Sequence, residues 1–203
     1  MKKKIITVIS IVSVIFLLSF KPLISVLPIN SPLPNGDVKL KDVTGKMVTM
    51  NEARKKNGLL VMFSCNTCPY VMRNQQRTKA ICKYALQNNI GVILLNSNET
   101  QRDEGDGFRD MQAYAKEQDY QWNYVMDVDS KIADAFGANR TPECFLFNSD
   151  LKLSYHGGID DNPGDEENVS RQYLKEAINQ LINGKDIAIK ETRSVGCSIK
   201  RKG

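Results

Sequence analysis

The stretch LLVMFSCNTCPYV, Leu59 to Val71, decides how this chain is read. Its first five residues carry no polar side chain that would mark a solvent face, as expected of a strand buried on both sides. Cys65 and Cys68 follow, and Pro69 comes directly after the second. Proline fits the first position of a helix, so both cysteines fall at or just before a helix start. Free backbone amides and the helix dipole favour a negative sulfur there. That lowers a thiol pKa and makes the sulfur a nucleophile at neutral pH. With a second sulfur close enough to resolve a mixed disulfide, the placement points to thiol–disulfide exchange.

Moving outward, Asp37 to Met50 reads as a small hairpin turning at Thr44-Gly45, and NEARKK, Asn51 to Lys56, as a short helix ended by Asn57-Gly58. Helical spacing runs from Tyr70 to Asn88, with Val71, Ala80, Ile81, Tyr84 and Ala85 on one stripe. IGVILLNS, Ile90 to Ser97, is a second buried strand. NETQRDEGDG is a polar loop before a helix at Phe108 to Gln118. NYVMD is a short, edge-like strand, and SKIADAFGA a short helix. ECFLFN and Leu151 to Ile159 form strands about a turn at Asn148-Ser149-Asp150. DDNPGDEEN is a solvated loop, Val169 to Asn183 a final amphipathic helix closed by Gly184, and the last 19 residues an extended tail. Strands alternating with helices imply a parallel core, and the late hairpin adds antiparallel strands. The expected class is α/β: a central mixed sheet flanked by helices, with an N-terminal hairpin and a C-terminal tail. The cysteine pair sits at the carboxyl end of the first core strand, the end where open sheets place ligands and chemistry.

Of the five cysteines, only Cys65 and Cys68 form a close pair, and the chain has a single histidine, His156. Structural zinc needs four ligands, which this set does not supply as paired motifs. A purely structural disulfide across so tight a loop removes little chain entropy. Cys82, on the far half of the helix after the pair, and Cys144 read as buried apolar fillers. Cys197 lies in the tail between Gly196 and Ser198, where packing does not demand it. It is a candidate third redox thiol reaching the pair, or a bridge to Cys144 or Cys82. With an odd total, at least one thiol stays unpaired in any intramolecular scheme.

CNTCPYV and RTPECFLFN, with YHGGIDD and the late GCSIK, resemble the thioredoxin-like superfamily, over about Asp37 to Lys200. The closer likeness is to its redoxin branch, related to alkyl hydroperoxide reductase and thiol-specific antioxidant, in the peroxiredoxin-like group carrying CxxCPYV. That resemblance implies a thioredoxin fold, with Pro142 as a cis-proline facing the pair and Thr141 offering backbone to a partner peptide. Cys65 aligns with the exposed attacking thiol of thioredoxins and Cys68 with their buried resolving thiol. Peroxiredoxins carry Thr-x-x-Cys-Pro instead. On that pattern Cys68 is the peroxide-reacting cysteine and Cys65 replaces a threonine that orients peroxide. Arg140 matches a peroxidase arginine only loosely. The buried acid of thioredoxins is replaced near Met62. Copper-delivering relatives use a cysteine pair spaced by three residues and a distant histidine. Here the spacing is two, and His156 falls inside a strand pattern.

The net charge of +5 has a local origin. Lys2, Lys3, Lys4 and Lys21 lie in the first 35 residues, which hold no Asp or Glu; the remaining 24 of the 28 basic residues face 23 acidic ones. That balance gives no reason to expect nucleic acid as a partner. Lys2, Lys3 and Lys4 precede Ile5 to Phe20, 16 residues without charge. The segment reads equally as a cleaved secretory signal and as an uncleaved membrane anchor. Either way the basic end stays on the cytoplasmic side, so the rest is expected to be exported, periplasmic or on the extracytoplasmic face of a membrane. Residues 1–26 are thus signal or anchor, 27–36 a proline-rich linker and 37–203 the thioredoxin-like domain.

The expected function is thiol–disulfide oxidoreductase. Cys65 and Cys68 are the catalytic pair, Thr141 and Pro142 position the substrate, and Cys197 is an additional redox thiol. No metal and no cofactor beyond the redox-active disulfide is required. Partners are protein disulfides or dithiols and a membrane or periplasmic reductase. Two readings compete: a thiol peroxidase using Cys68, and a copper-binding chaperone using Cys65, Cys68 and His156.

Overall fold

The computed structural model describes residues 25–202. The apolar segment Ile5 to Phe20 lies outside them, and among the described residues no helix is long and apolar enough to cross a membrane. A seven-stranded sheet in the order β2-β1-β5-β4-β3-β7-β8 organises the rest. At its centre β3 (Leu59–Ser64) runs parallel to β4 (Gly91–Asn96), which runs parallel to β5 (Asn123–Met126). On the other side β3 pairs antiparallel with β7 (Glu143–Phe147), and β7 with β8 (Leu153–Gly157). The N-terminal hairpin, β1 (Leu40–Asp42) and β2 (Met47–Val48), closes the far edge. The mixed sheet flanked by helices is the thioredoxin fold that the family resemblance implied. β3 and β4 are buried at all twelve positions, which is why neither shows a polar alternation in sequence.

Each face of the sheet has its own core. One face carries Leu60, Met62, Leu94, Tyr124, Leu146 and Tyr155, covered by α3 (Gln75–Gln87), α4 (Phe108–Glu117) and α6 (Tyr173–Ile182). Cys82 and Cys144 are fully buried there. The other face carries Leu59, Val61, Phe63, Ile93, Phe145 and Phe147 under α1 (Met50–Ala53) and α5 (Lys131–Phe136). Phe136 is its hub, edge-on to Phe63 at 5.3 Å, Phe145 at 5.1 Å and Phe147 at 5.8 Å. A Phe136→Leu change keeps the site apolar but forfeits three edge contacts. It is expected to cost about 1–2 kcal/mol, read as a lower urea midpoint with unchanged slope.

Several elements differ from the sequence reading. The long helix after Pro69 is two helices, α2 (Pro69–Arg73) and α3, meeting at Asn74. Asn74 is buried, and its side-chain amide donates to the Tyr70 carbonyl at 2.7 Å and across to Pro163 O at 3.0 Å. A side chain competing for a helical carbonyl breaks a helix in this way. On α3 the buried stripe takes Thr78, Ile81, Cys82 and Ala85, while Ala80 is exposed. β5 is not an edge strand. β1 pairs beyond it through Lys41–Met126 and Asp42–Val125. α6 starts only at Tyr173, because the backbone before it is tied down by Asp161 N to Arg171 O at 3.1 Å and Leu174 N to Ile159 O at 3.1 Å. The stretch expected as a free tether is laid on the domain. Leu27 N donates to Phe136 O at 2.9 Å and Leu33 N to Leu151 O at 2.9 Å, with Val26, Leu27, Ile29 and Leu33 packed on the phenylalanine face. Apolar residues set among the prolines make this a covering segment, joined to the domain by an isolated bridge from Pro32 to Lys152, which proline content alone did not reveal.

Candidate active site

β3 hands over to α2 through Cys65-Asn66-Thr67-Cys68. Cys68 occupies the N-cap position, with extended backbone, and Pro69 is the first helical residue. Cys65, Cys68 and Val71 form a small cluster of their own, against which Tyr70 and Cys197 pack. Facing them is β6 (Arg140–Thr141), and the Thr141–Pro142 peptide is cis, as the family resemblance implied. The Thr141 hydroxyl lies 3.5 Å from Cys65 Sγ, and Cys68 Sγ lies 3.3 Å from the Thr141 carbonyl oxygen.

The two sulfurs are not equivalent. Cys65 has no exposure and Cys68 has 3%. A hydrogen bond from the Cys65 thiol is the largest influence on Cys68, holding it down from the ordinary 9.0 to about 4; bonds from Cys197 and the Thr141 hydroxyl and the nearby Val71 amide act the same way, against the opposing effect of burial. Val71 N–H leans toward the sulfur without completing a capping bond. Cys65 is pushed the opposite way, far above its usual range, by that same bond to Cys68, by burial, and by the Asp106 carboxylate. A helix terminus supplies at most about 2 kcal/mol, equivalent to roughly 1.5 pK units, and α2 has only five residues. The neighbouring thiol, more than the helix dipole, therefore holds the negative charge.

Cys65 was read as the exposed attacker and Cys68 as the buried resolver. Both sulfurs are buried, Cys65 the more enclosed, and the surroundings favour the proton on Cys65 and the thiolate on Cys68. In sequence the two positions look alike. The difference comes from the hydrogen bond between the two sulfurs, from burial and from Asp106, none of them visible in the motif.

Asp106 is the functional residue the sequence reading passed over, as one acid in a polar loop. It is fully buried beneath the cysteine loop. Oδ1 accepts from Asn66 N at 2.7 Å and Asn96 Nδ2 at 2.8 Å; Oδ2 accepts from the Thr67 hydroxyl at 2.8 Å and Asn98 Nδ2 at 2.9 Å. The Tyr124 hydroxyl donates to Asn66 Oδ1 at 2.8 Å. Both residues between the cysteines are thereby fixed from below. The only local signal is the pair of glycines around Asp106. Gly105 has a left-handed φ of +106°, and a Cβ on Gly107 would lie 2.4 Å from Arg102 O.

Other candidate residues sit elsewhere. Arg140 points to solvent, and no arginine is among the groups that set the charge on Cys68. His156 is in β8, its Nε2 paired with Glu143 Oε1 at 2.7 Å and its ring stacked on Phe145 at 4.5 Å. The three-ligand copper reading thus has its imidazole engaged with Glu143. Among the described residues no three His, Cys, Asp or Glu side chains gather as a metal site. Cys197 is brought to the pair: β9 (Cys197–Ser198) runs antiparallel to β6 with Thr141 opposite Cys197. The Thr141 backbone, expected to await a partner peptide, is in contact with the chain's own tail.

Residues 29–156 match the AhpC/TSA family. The chain belongs to that family. Comparison with curated proteins gave no match. Among solved structures, an uncharacterized conserved protein from Geobacillus kaustophilus is similar at 28% identity and a TM-score of 0.80, over 86% of this chain and 93% of that one. PrxQ from Xylella fastidiosa is similar at 15% identity and a TM-score of 0.56, over 79% and 98%. The thioredoxin domain of a thiol-disulfide oxidoreductase from Bacteroides vulgatus is similar at 16% and 0.52, over 64% and 88%. The last two likenesses show the fold alone. Membership of the AhpC/TSA family supports a thiol redox function for the chain.

Proposed function

We propose that this AhpC/TSA protein is a thiol–disulfide oxidoreductase in which Cys68 attacks and Cys65 resolves. The observation that carries the reading is the seating of both sulfurs together at the strand–helix junction, facing the cis Thr141–Pro142 segment, where a hydrogen bond from the Cys65 thiol favours the thiolate on Cys68. The Cys68 thiolate attacks one sulfur of a substrate disulfide. The departing substrate thiolate takes up a proton, leaving a mixed disulfide at Cys68. With the negative charge on Cys68 consumed, the main influence holding the proton on Cys65 is gone. Cys65 then loses it, attacks Cys68 Sγ, and releases the second substrate thiol. The product is a Cys65–Cys68 disulfide and a substrate dithiol, and the reverse sequence oxidises a dithiol. The Thr141 hydroxyl, near both sulfurs, donates to whichever is anionic. No dissociable cofactor is needed. The basic, apolar start of the chain supports work outside the cytoplasm, with a membrane or periplasmic reductase recycling the pair.

The test is trapping. A Cys65→Ala variant should accumulate a mixed disulfide through Cys68, identified by mass spectrometry. Accumulation through Cys65 in a Cys68→Ala variant instead would restore the opposite assignment.

One observation favours a second reading. The ionised sulfur is the cysteine directly before proline, where the family's peroxide-reacting residue falls. Attack on a hydroperoxide would give a Cys68 sulfenic acid and an alcohol or water, and Cys65 would condense with it to a disulfide and water. Peroxide consumption that saturates and exceeds disulfide reduction by orders of magnitude would select this reading.

The charge on Cys68 also fixes a pH profile. A thiol of ordinary pKa gains alkylation rate about tenfold per pH unit below that value. With its pKa held near 4, Cys68 is already ionised at pH 5. Labelling by iodoacetamide is expected to stay flat from about pH 5 to 8 and to fall only as pH drops through 4. A profile rising steadily to pH 8 would remove the thiolate from the mechanism.

A further inference from the structure

The C-terminal tail does more than cover a surface. Arg140 is opposite Ser198 and Thr141 opposite Cys197 in an antiparallel ladder, continued by Ile199 N to Asn139 O at 3.1 Å. The contact is close: a Cβ on Gly196 would lie 2.1 Å from the Thr141 carbonyl oxygen. Beyond the ladder, Ile199 is buried in the phenylalanine face. Lys200 N donates to Asn98 Oδ1 at 3.0 Å, and the Arg201 guanidinium binds Asp134 at 2.7 Å and Ala138 O at 2.6 Å. These ties hold Cys197 packed against the Cys65–Cys68 cluster. Any other polypeptide whose sulfur is to reach Cys68 by pairing with the β6 edge, the usual way an extended peptide adds to a strand, must lie where residues 196–198 lie.

We propose that the C-terminal strand is a tethered substrate mimic: it seats Cys197 on Cys68, receives the disulfide from Cys65–Cys68 by exchange, and so locks itself over the site. The proposal rests on the oxidoreductase reading and deepens it. In the exchange the Cys197 sulfur, losing its proton, attacks Cys68 Sγ. The Cys65–Cys68 bond breaks, Cys65 leaves as a thiolate and takes the proton. One disulfide is lost and one gained, so no further oxidant is consumed. The oxidant that first forms the pair's disulfide is the substrate disulfide itself. The locked form excludes a protein substrate until a dithiol attacks the Cys68–Cys197 bond, and the reduced form admits one only when the tail lifts.

The test uses the full chain oxidised with hydroxyethyl disulfide, quenched with acid and N-ethylmaleimide, and digested with trypsin without reduction. Cys65 and Cys68 share the tryptic peptide 57–73, and Cys197 lies in 194–200. A linked 57–73/194–200 species, with fragmentation placing the bond on Cys68, is the expected result. Gly196→Val pushes a side chain into Thr141 without touching a sulfur. It should cut that species roughly tenfold or more by lowering the local concentration of Cys197, and should speed insulin reduction several-fold. A Cys197→Ser variant should lose the linked species while still forming the Cys65–Cys68 disulfide. If the chain forms only Cys65–Cys68, with Cys197 alkylated throughout, the mimic is overturned and the oxidoreductase reading stands. If Gly196→Val changes neither the linkage nor insulin reduction, the mimic is likewise overturned. If no disulfide forms in any variant and insulin is untouched, both readings fall together.

Discussion

Replacing Cys68 by serine is expected to reduce disulfide-exchange activity by about a thousandfold or more, since a serine hydroxyl is un-ionised at neutral pH and cannot carry the covalent step. The same variant should lose rapid labelling at pH 5, because the remaining sulfur of the pair, Cys65, has no exposure, and burial and the Asp106 carboxylate still disfavour its thiolate. Cys65→Ala should behave differently. It retains a nucleophile but removes the strongest support of its charge. Labelling at pH 5 should therefore fall while labelling at pH 8 is largely kept, and turnover should stop at the mixed disulfide. The contrast between the two variants is the informative part. If Cys68→Ser kept its fast thiol and Cys65→Ala lost it at every pH, the assignment of roles would be reversed. Measuring both rates across pH separates loss of the nucleophile from loss of its activation.

The second large effect is expected at a residue that touches no substrate. Asp106→Ala removes the acceptor for four donors in a buried setting: Asn66 N, the Thr67 hydroxyl, and the side-chain amides of Asn96 and Asn98. Leaving such groups unsatisfied costs about 1–3 kcal/mol each when nothing replaces the partner. Removing one member of a buried polar network typically costs about 3–5 kcal/mol in all, after relaxation. For a domain of this size that lowers the melting temperature by roughly 10 °C. A variant within 1 °C of the parent would show that the network contributes little to stability. Asp106→Asn is the sharper probe of electrostatics. It removes one of the groups that push Cys65 upward at nearly constant volume, so Cys65 should become easier to ionise and the pair's reduction potential should change.

These expectations rest on parts of the molecule that were unequally legible. The position of the cysteine pair was readable, because an unbroken apolar run and a proline mark a strand and a helix start by purely local rules. Cys82 and Cys144 were readable as buried fillers for a similar reason, since one lies beside Ile81 and Ala85 on the helical stripe and the other opens the apolar run Cys144 to Phe147. The break at Asn74 was not, because it depends on the Pro163 carbonyl, 89 residues away. Nor was the interior position of β5, since two backbone pairings with β1 decide it and backbone pairing leaves no mark on side-chain identity. Asp106 was hidden by its company: one acid among several in a polar loop looks solvated until the loop folds under the cysteines.

What the amino-acid order determined by itself was the chemistry available: two sulfurs where a buried strand becomes a helix, a third in the tail, and the Arg-Thr-Pro segment that returns to face them. Periodicity and backbone restrictions act over a few residues, so a string of letters is enough to read them. Which sulfur the surroundings favour for the charge, which acid lies beneath it and what occupies the neighbouring strand edge depend on the fold in three dimensions. Those properties depend on burial and on hydrogen bonds spanning 39 to 102 residues, and a thiol responds to the donors and charges around it rather than to its neighbours in the chain.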